Sequence, residues 1–142
     1  MIRRLPHRGE DGQVTAFTVV MVTALLLVAG LVLDGGAALA AKVEAIGIAE
    51  DAARAGAQEI DLAAYRATGR VQLVPDRAVA AARTYLTTSG HTGTATVTGD
   101  EVTVTVSTTI PTLLLGLAGV DDLTVSSQAT AGAHYGITAA DP

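Results

Sequence analysis

The 142-residue chain contains no cysteine, tryptophan or asparagine, only one phenylalanine and only one lysine. Without cysteine there is no disulfide and no thiolate metal site, and without asparagine there is no N-x-S/T glycosylation site. The single phenylalanine, Phe17, lies in a long apolar run, so any other core must be built from alanine, valine, leucine and isoleucine. Small side chains bury little area each, at about 25 cal/mol per Å². We therefore expect a marginally stable domain that gains stability from a partner.

The most prominent feature present is an uncharged run of twenty residues, 14–33, rich in leucine and valine. A helix of about 20 apolar residues spans the ~30 Å hydrocarbon core of a bilayer. Each leucine, valine or phenylalanine favours membrane insertion by roughly 0.3 to 0.6 kcal/mol. The run is therefore predicted to be a transmembrane helix. The alternative, a buried helix of a soluble protein, is disfavoured because such apolar segments usually measure about 10–14 residues.

The charges that flank the run predict its orientation. Arg3, Arg4 and Arg8 precede it, and basic residues beside a span stay cytoplasmic. We expect residues 1–13 to form a cytoplasmic stub and residues 34–142 to form an exported domain on the outer face of the cytoplasmic membrane. Six basic and twelve acidic residues follow the run. This acidity argues against a nucleic-acid partner, which would need a basic face.

A cleaved signal peptide is the main alternative to an uncleaved signal anchor. The segment Ala38-Leu39-Ala40 offers a small-x-small cleavage site. However, the apolar region of a signal peptide typically measures about 7–15 residues, which is shorter than this run. The sequence favours the anchor and leaves three forms open: cleavage after Gly12, cleavage after Ala40, and no cleavage.

Beyond the run, the pattern predicts an α+β fold that begins with a long amphipathic helix over about residues 37–66. This helix continues the transmembrane helix, and Gly35-Gly36 is where the combined helix would bend or break. Its small-residue stripe either covers the chain's own sheet or packs against neighbouring subunits. The residues predicted to share one arc are Leu39, Val43, Ile46, Ala49, Ala53, Gly56, Ala57, Ile60, Ala63 and Ala64.

A second helix and a small antiparallel sheet are predicted to follow. Pro75-Asp76 suits the first turn of a helix over about 75–88. Strict alternation of apolar and polar residues indicates strands with one buried face, and Gly99-Asp100 suits a hairpin turn. The predicted strands cover about 94–98, 101–108 and 123–133.

A leucine-rich segment, residues 112–118, separates the last two predicted strands. It is predicted to form a helical turn that crosses the sheet, and Leu113, Leu114 and Leu117 make it more apolar than one buried face requires. It could equally be an exposed contact patch.

No residue pattern in the chain is typical of catalysis. His7, His91 and His134 lack metal-ligand spacing, and the adjacent acids Asp100-Glu101 and Asp121-Asp122 are typical of solvated turns. There is no nucleophile elbow and no phosphate-binding loop. We predict a protein that is not an enzyme and that has no metal, no cofactor and no small-molecule substrate.

The order of segments resembles the TadE/TadG-like proteins of the Flp (tight adherence, Tad) pilus machinery. The residues that carry the resemblance read RGEDGQVTAF at 8–17, LDGG at 33–36 and AEDAARAGA at 49–57. Residues 102–108, 111–114 and 129–131 also resemble the exported part of such proteins. The resemblance implies a pilin-like fold and a non-catalytic, membrane-anchored accessory or minor-pilin-like subunit that packs against other pilus components.

Within that resemblance, helix packing would use small residues at Gly30, Gly35, Gly36, Ala40, Ala53 and Gly56. Pilin-like members are cut after a glycine and carry Glu at the fifth position after the cut. Gly12 could be that glycine, but the fifth residue after it is Phe17. The chain thus looks more like an anchored TadG-type subunit than a processed pilin. The alanine-rich composition with one lysine suits a GC-rich bacterium such as one of the actinobacteria. The alternative is an anchored or secreted binding module unrelated to pili.

Overall fold

A computed structural model describes residues 10–133, and the side chains of residues 13–133. Within this part of the chain, helices come first and an antiparallel sheet follows. In order, the elements are α1 (Glu10–Ala57), α2 (Leu62–Thr68), α3 (Pro75–Thr88), β1 (Gly93–Thr98), β2 (Glu101–Pro111), a 3-10 helix (Leu115–Ala118) and β3 (Asp122–Gly132). The predicted α+β fold, with a long N-terminal helix and a small sheet, is confirmed.

The first helix, α1, is continuous over 48 residues, which corresponds to about 72 Å at 1.5 Å per residue. It passes through Gly35 and Gly36 as one continuous helix, so of the bend or break predicted there, the break does not occur. Glycine costs only ~1 kcal/mol in a helix interior. Long helical segments on both sides, and packing of the neighbouring Asp34 against the rest of the chain, outweigh that cost.

The amphipathic helix ends earlier than residue 66, where the sequence had placed its end. α1 stops at Ala57, and Ile60 forms an isolated antiparallel bridge with Leu73. Asp61 then begins a new helix, because its carboxylate accepts hydrogen bonds from the N–H groups of Ala63 and Ala64, both at 2.9 Å. An N-cap of this kind satisfies backbone donors that a continuous helix would have paired internally. The predicted single helix is therefore two helices.

The sheet has the order β1-β2-β3, and both pairings are antiparallel. The two-residue turn at Gly99-Asp100 joins β1 to β2, and Gly99 has the positive φ of 65° that such a turn requires. Val102, Val104 and Val106 of β2 are fully buried against the helices. The outer face carries threonine pairs, with Thr103–Thr130 and Thr109–Thr124 hydroxyl contacts of 2.9 and 3.0 Å.

The core lies between this sheet, the C-terminal half of α1 and α3. The buried hydrophobic side chains of α1 are all alanines, namely Ala45, Ala49, Ala52 and Ala53. Alanine allows a close approach of helix and sheet, because no long side chain separates the two backbones. On α3 the buried residues are Ala78, Ala82 and Leu86.

The buried stripe of α1 differs in phase from the predicted arc. Leu39, Val43 and Ile46 were predicted to share the arc with Ala49, Ala53 and Gly56, but they are 65%, 61% and 39% exposed. The sheet instead packs against the smallest residues, from Ala45 to Gly56, while Leu39 and Val43 stay largely exposed. A periodicity that is weighted by hydrophobicity alone is dominated by the larger side chains. It therefore does not identify the face of α1 that packs on the sheet.

Candidate functional site

The N-terminal half of α1 exposes an apolar surface all around the helix. Its large side chains from Val14 to Leu33 are 45% to 68% exposed, and the helix has a window of mean hydropathy 2.7. Thr18 and Thr23 donate their hydroxyls to the carbonyls of Val14 and Val19, each at 2.8 Å. Among the described residues, α1 is the one helix long and apolar enough to cross a membrane. Hydroxyls that are satisfied within the helix suit a hydrocarbon environment.

Asp34 lies at the end of this apolar surface and is only 3% exposed. Its carboxylate accepts hydrogen bonds from three consecutive backbone N–H groups at the β2–β3 connection. The N···O distances are 2.9 Å from Leu113, 3.0 Å from Leu114 and 2.7 Å from Leu115. These donors stand at the start of the 3-10 helix, where N–H groups lack partners within the helix. The carboxylate therefore fastens the connection to α1.

The hydrogen bonds keep the Asp34 side chain in its charged form. The N–H groups of Leu115 and Leu113 lower the pKa of Asp34 below its ordinary value of 3.8, and the N–H of Leu114 adds to this effect. Desolvation opposes these contributions but does not outweigh them. The carboxylate is thus an ionised acceptor matched by three donors, which makes its burial tolerable without a basic partner.

Residues 112–120, hereafter the tip, lie beside α1 next to Asp34. A Cβ built on Gly30 would come within 2.8 Å of the Leu114 Cβ, so Leu114 packs directly on the glycine backbone. Further along the helix, Leu117 and Ala118 line an open apolar groove of about 210 Å³ with Leu114 and with α1 residues Thr23, Leu26 and Leu27. The tip therefore runs alongside the apolar half of α1.

The predicted contact patch is only partly exposed. Leu113 is 78% exposed and Leu117 is 87% exposed, whereas Leu114 is half-buried against Gly30. The predicted helical turn is present as the 3-10 helix. It lies beside the apolar half of α1, whereas the sequence had predicted that it would cross the sheet.

The small residues predicted to pack helices fall into two groups. Gly30, Ala53 and Gly56 are buried within the chain's own fold, where a Cβ on Gly56 would meet the Ala78 carbonyl oxygen and Val102 Cγ1 at 2.9 Å each. Gly35, Gly36 and Ala40 are exposed, and a Cβ on either glycine would meet no other residue within 4 Å. The first group packs within the chain itself, which is one of the two alternatives that the sequence had left open. The second group makes no such contact and is exposed.

Within the described part of the chain, neither the candidate processing residues nor the histidines form a further functional site. Gly12 lies in the first turn of α1, and Phe17 is exposed on the apolar half. His7 and His134 lie outside the described residues, while His91 Nε2 stands 3.8 Å from a Glu44 carboxylate oxygen. The side chains that the structure describes include no group of three or more metal-ligating residues.

Sequence reasoning missed the role of Asp34, which it had placed only as the first residue of the exported domain. Two signals were available. The tip holds nine uncharged residues with four leucines, which is costly to leave in water, and Asp34 is a lone acid at the end of a span. The contact joins residues 79 to 81 positions apart, so no local pattern connects the two signals.

No curated protein and no solved structure matches this chain. A family model described as "Putative Flp pilus-assembly TadE/G-like" matches residues 12–59. The match covers about a third of the chain, from the first turn of α1 to just past its end at Ala57. It includes the apolar half, Asp34 and the alanine stripe, and it supports the resemblance seen in the sequence: over these residues the chain is similar to the TadE/TadG-like proteins of Flp pilus assembly.

Proposed function

We propose that the protein is a single-pass, non-catalytic subunit of Flp/Tad pilus assembly, with its N-terminus in the cytoplasm and its sheet domain outside. The observation that carries the proposal is the division of α1 into two halves. One half is apolar on every side, and the other half holds a sheet through alanines. A helix of this kind both anchors the protein and presents the exported domain at a fixed distance from the bilayer.

The uncleaved form, or a form cut after Gly12, agrees best with the contacts of the tip. Cleavage after Ala40 would remove both Gly30 and Asp34, and with them the packing surface of Leu114 and the acceptor of three hydrogen bonds. The leucine-rich tip would then lie in water without its support. We therefore propose that α1 stays attached as a signal anchor.

The partner contact that we propose lies on an exposed aliphatic surface of α1, outside its buried alanine stripe. Leu39, Val43 and Ile46 are exposed there, and Gly36 and Gly47 have open space around them. Large aliphatic side chains beside exposed glycines permit a second helix to pack closely. Glu50 and Arg54, one and two turns further along the helix, pair with each other at 3.3 Å. Other pilus components, or pilin-like subunits with a similar helix, fit this surface.

Topology can be tested with single cysteines, because the chain has none of its own. The substitution Gln13→Cys introduces a thiol just before the apolar run, and Thr88→Cys introduces one at the exposed end of α3. In intact cells, a membrane-impermeant maleimide should label Thr88→Cys, whereas Gln13→Cys should react only after lysis. The reverse labelling would contradict the proposed orientation, and intact-mass measurement on the same samples would identify any cleavage.

The pilus role can be tested by deleting the gene and complementing the deletion with variants of the proposed partner contact on α1. Deletion should abolish or reduce surface piliation. Val43→Asp should fail to restore it at normal protein levels, because it places a charge in the proposed helix contact. Thr96→Asp, on the exposed outer face of the sheet, is the matched control and should restore piliation. Normal piliation in the deletion strain would instead favour a binding module unrelated to pili.

A further inference from the structure

We propose that the tip is a second membrane contact, which inserts its leucines into the outer leaflet beside α1. This inference rests on the proposed membrane anchoring and adds a second site of lipid contact. The occupant is the hydrocarbon of the bilayer. The exposed surfaces of Leu113 and Leu117 are the groups that would contact it.

The position of the tip along α1 carries the argument. Leu114 packs on Gly30, and the groove beside Leu117 extends to Leu27 and Thr23. At 1.5 Å per residue, Leu27 lies about 10 Å and Thr23 about 16 Å along the axis from Asp34 toward the N-terminus. A hydrocarbon slab of ~30 Å that covers residues 14–33 therefore also covers the tip.

The chemistry of the tip agrees with that depth. Residues 112–120 carry no charge, and acidic residues resume directly after them. The N–H groups of three consecutive leucines are bound by Asp34, so they need no water. Other polar groups are satisfied within the connection: Thr112 N–H to the Asp121 carbonyl at 2.9 Å, Thr112 Oγ1 to the Val120 carbonyl, Leu117 N–H to the Leu114 carbonyl at 3.1 Å and Val120 N–H to the Leu115 carbonyl at 3.1 Å.

An unpaired backbone polar group costs several kcal/mol at membrane depth, and pairing within the protein removes that cost for the groups named above. In water, the same segment would leave two leucine side chains almost fully exposed next to an apolar groove. Asp34 is thus a positioning residue, because its carboxylate binds the tip to the helix and is shielded from solvent. The contact with lipid is apolar, so it should not depend on anionic headgroups.

Tryptophan fluorescence in vesicles provides a direct test, because the chain has no tryptophan. The full chain is reconstituted in phosphatidylcholine vesicles with or without lipid brominated on its acyl chains, which quenches nearby indoles. Leu117→Trp should give blue-shifted emission and a loss of fluorescence comparable with that of Val20→Trp in the middle of the apolar run. Thr96→Trp, on the exposed face of β1, should remain unquenched.

The three variants separate the two proposals. Quenching of Val20→Trp without quenching of Leu117→Trp would overturn the tip contact and leave the anchor intact. Absence of quenching at Val20→Trp would overturn the anchor itself. Blue-shifted emission from Leu117→Trp that is insensitive to bromolipid and disappears at high lipid-to-protein ratio would show a second copy of the chain on the tip, which also overturns the inference. Adding Asp34→Asn should reduce quenching at Leu117→Trp and leave Val20→Trp unchanged, and equal quenching would contradict the positioning role.

Discussion

Substitution of Gly56 by alanine tests how closely α1 approaches the rest of the domain. The added methyl would stand 2.9 Å from the carbonyl oxygen of Ala78 and 2.9 Å from Val102 Cγ1. Neither neighbour can easily move, because the first is the backbone of α3 and the second is a fully buried side chain of β2, the central strand of the sheet. The helix, the strand or both must therefore shift.

The magnitude follows from two opposing contributions. Inserting a methyl group into a well-packed core typically costs about 1–3 kcal/mol. Replacing glycine by alanine within a helix stabilises it by up to ~1 kcal/mol. Gly47 provides the matched control, since it lies in the same helix and a Cβ there would meet nothing within 4 Å. The difference in unfolding free energy between Gly56→Ala and Gly47→Ala removes most of the propensity contribution and should be about 1–3 kcal/mol.

Thermal unfolding of the full chain in detergent micelles, followed by circular dichroism, measures this difference. For a domain of about 100 residues, 1 kcal/mol shifts the Tm by roughly 4–8 °C. Gly47→Ala should melt at or above the parent temperature, and Gly56→Ala should melt below Gly47→Ala by at least this shift. Equal melting temperatures for the two variants would refute the close approach of α1 to Val102 and α3.

Three further perturbations have defined outcomes. Since the folded pKa of Asp34 is below 3.8, its contribution to stability is present above that pH and lost on further acidification, so an indole placed at Leu117 should become more exposed there. Burial, and then the hydrogen bond to Asp51, raise the pKa of Tyr85 above 10, so stability should fall as pH rises through the folded pKa, and alkaline melts of Tyr85→Phe should lack this loss. Leu86→Ala should cost about 2–5 kcal/mol in urea unfolding, because Leu86 is only 2% exposed.

The strands and the second helix could be predicted because their signals are local. Alternation of valine and threonine at 102–107 places one face toward a core and the other toward water, and β2 follows that pattern. Pro75 fixes a backbone angle suited to the first turn of α3, where the structure begins that helix. Patterns with a period of two residues, or a proline at a helix start, depend on neighbours within a few positions.

Two features could not be predicted in the same way. They are the face of α1 that packs on the sheet and the hydrogen bonds by which Asp34 binds the tip. Alanine has little hydrophobic signal of its own, so Leu39 and Val43 dominated the predicted arc although they are largely exposed. The Asp34 contact depends on how β2 and β3 return the chain to α1, which is a property of the tertiary fold. A carboxylate with no basic partner nearby looks like a solvated boundary until three N–H groups are placed around it.

The hydrogen bonds of Asp34 also give the proposed topology an order of events during biogenesis. They join residues 79 to 81 positions apart, and their donors lie at the connection between the paired strands β2 and β3. In that topology, α1 would enter the bilayer as soon as it is synthesised, whereas the tip would dock only after its strands have crossed the membrane. The two apolar segments would then reach the same leaflet from opposite sides, and a variant with a slow-folding sheet would be anchored long before its tip is docked.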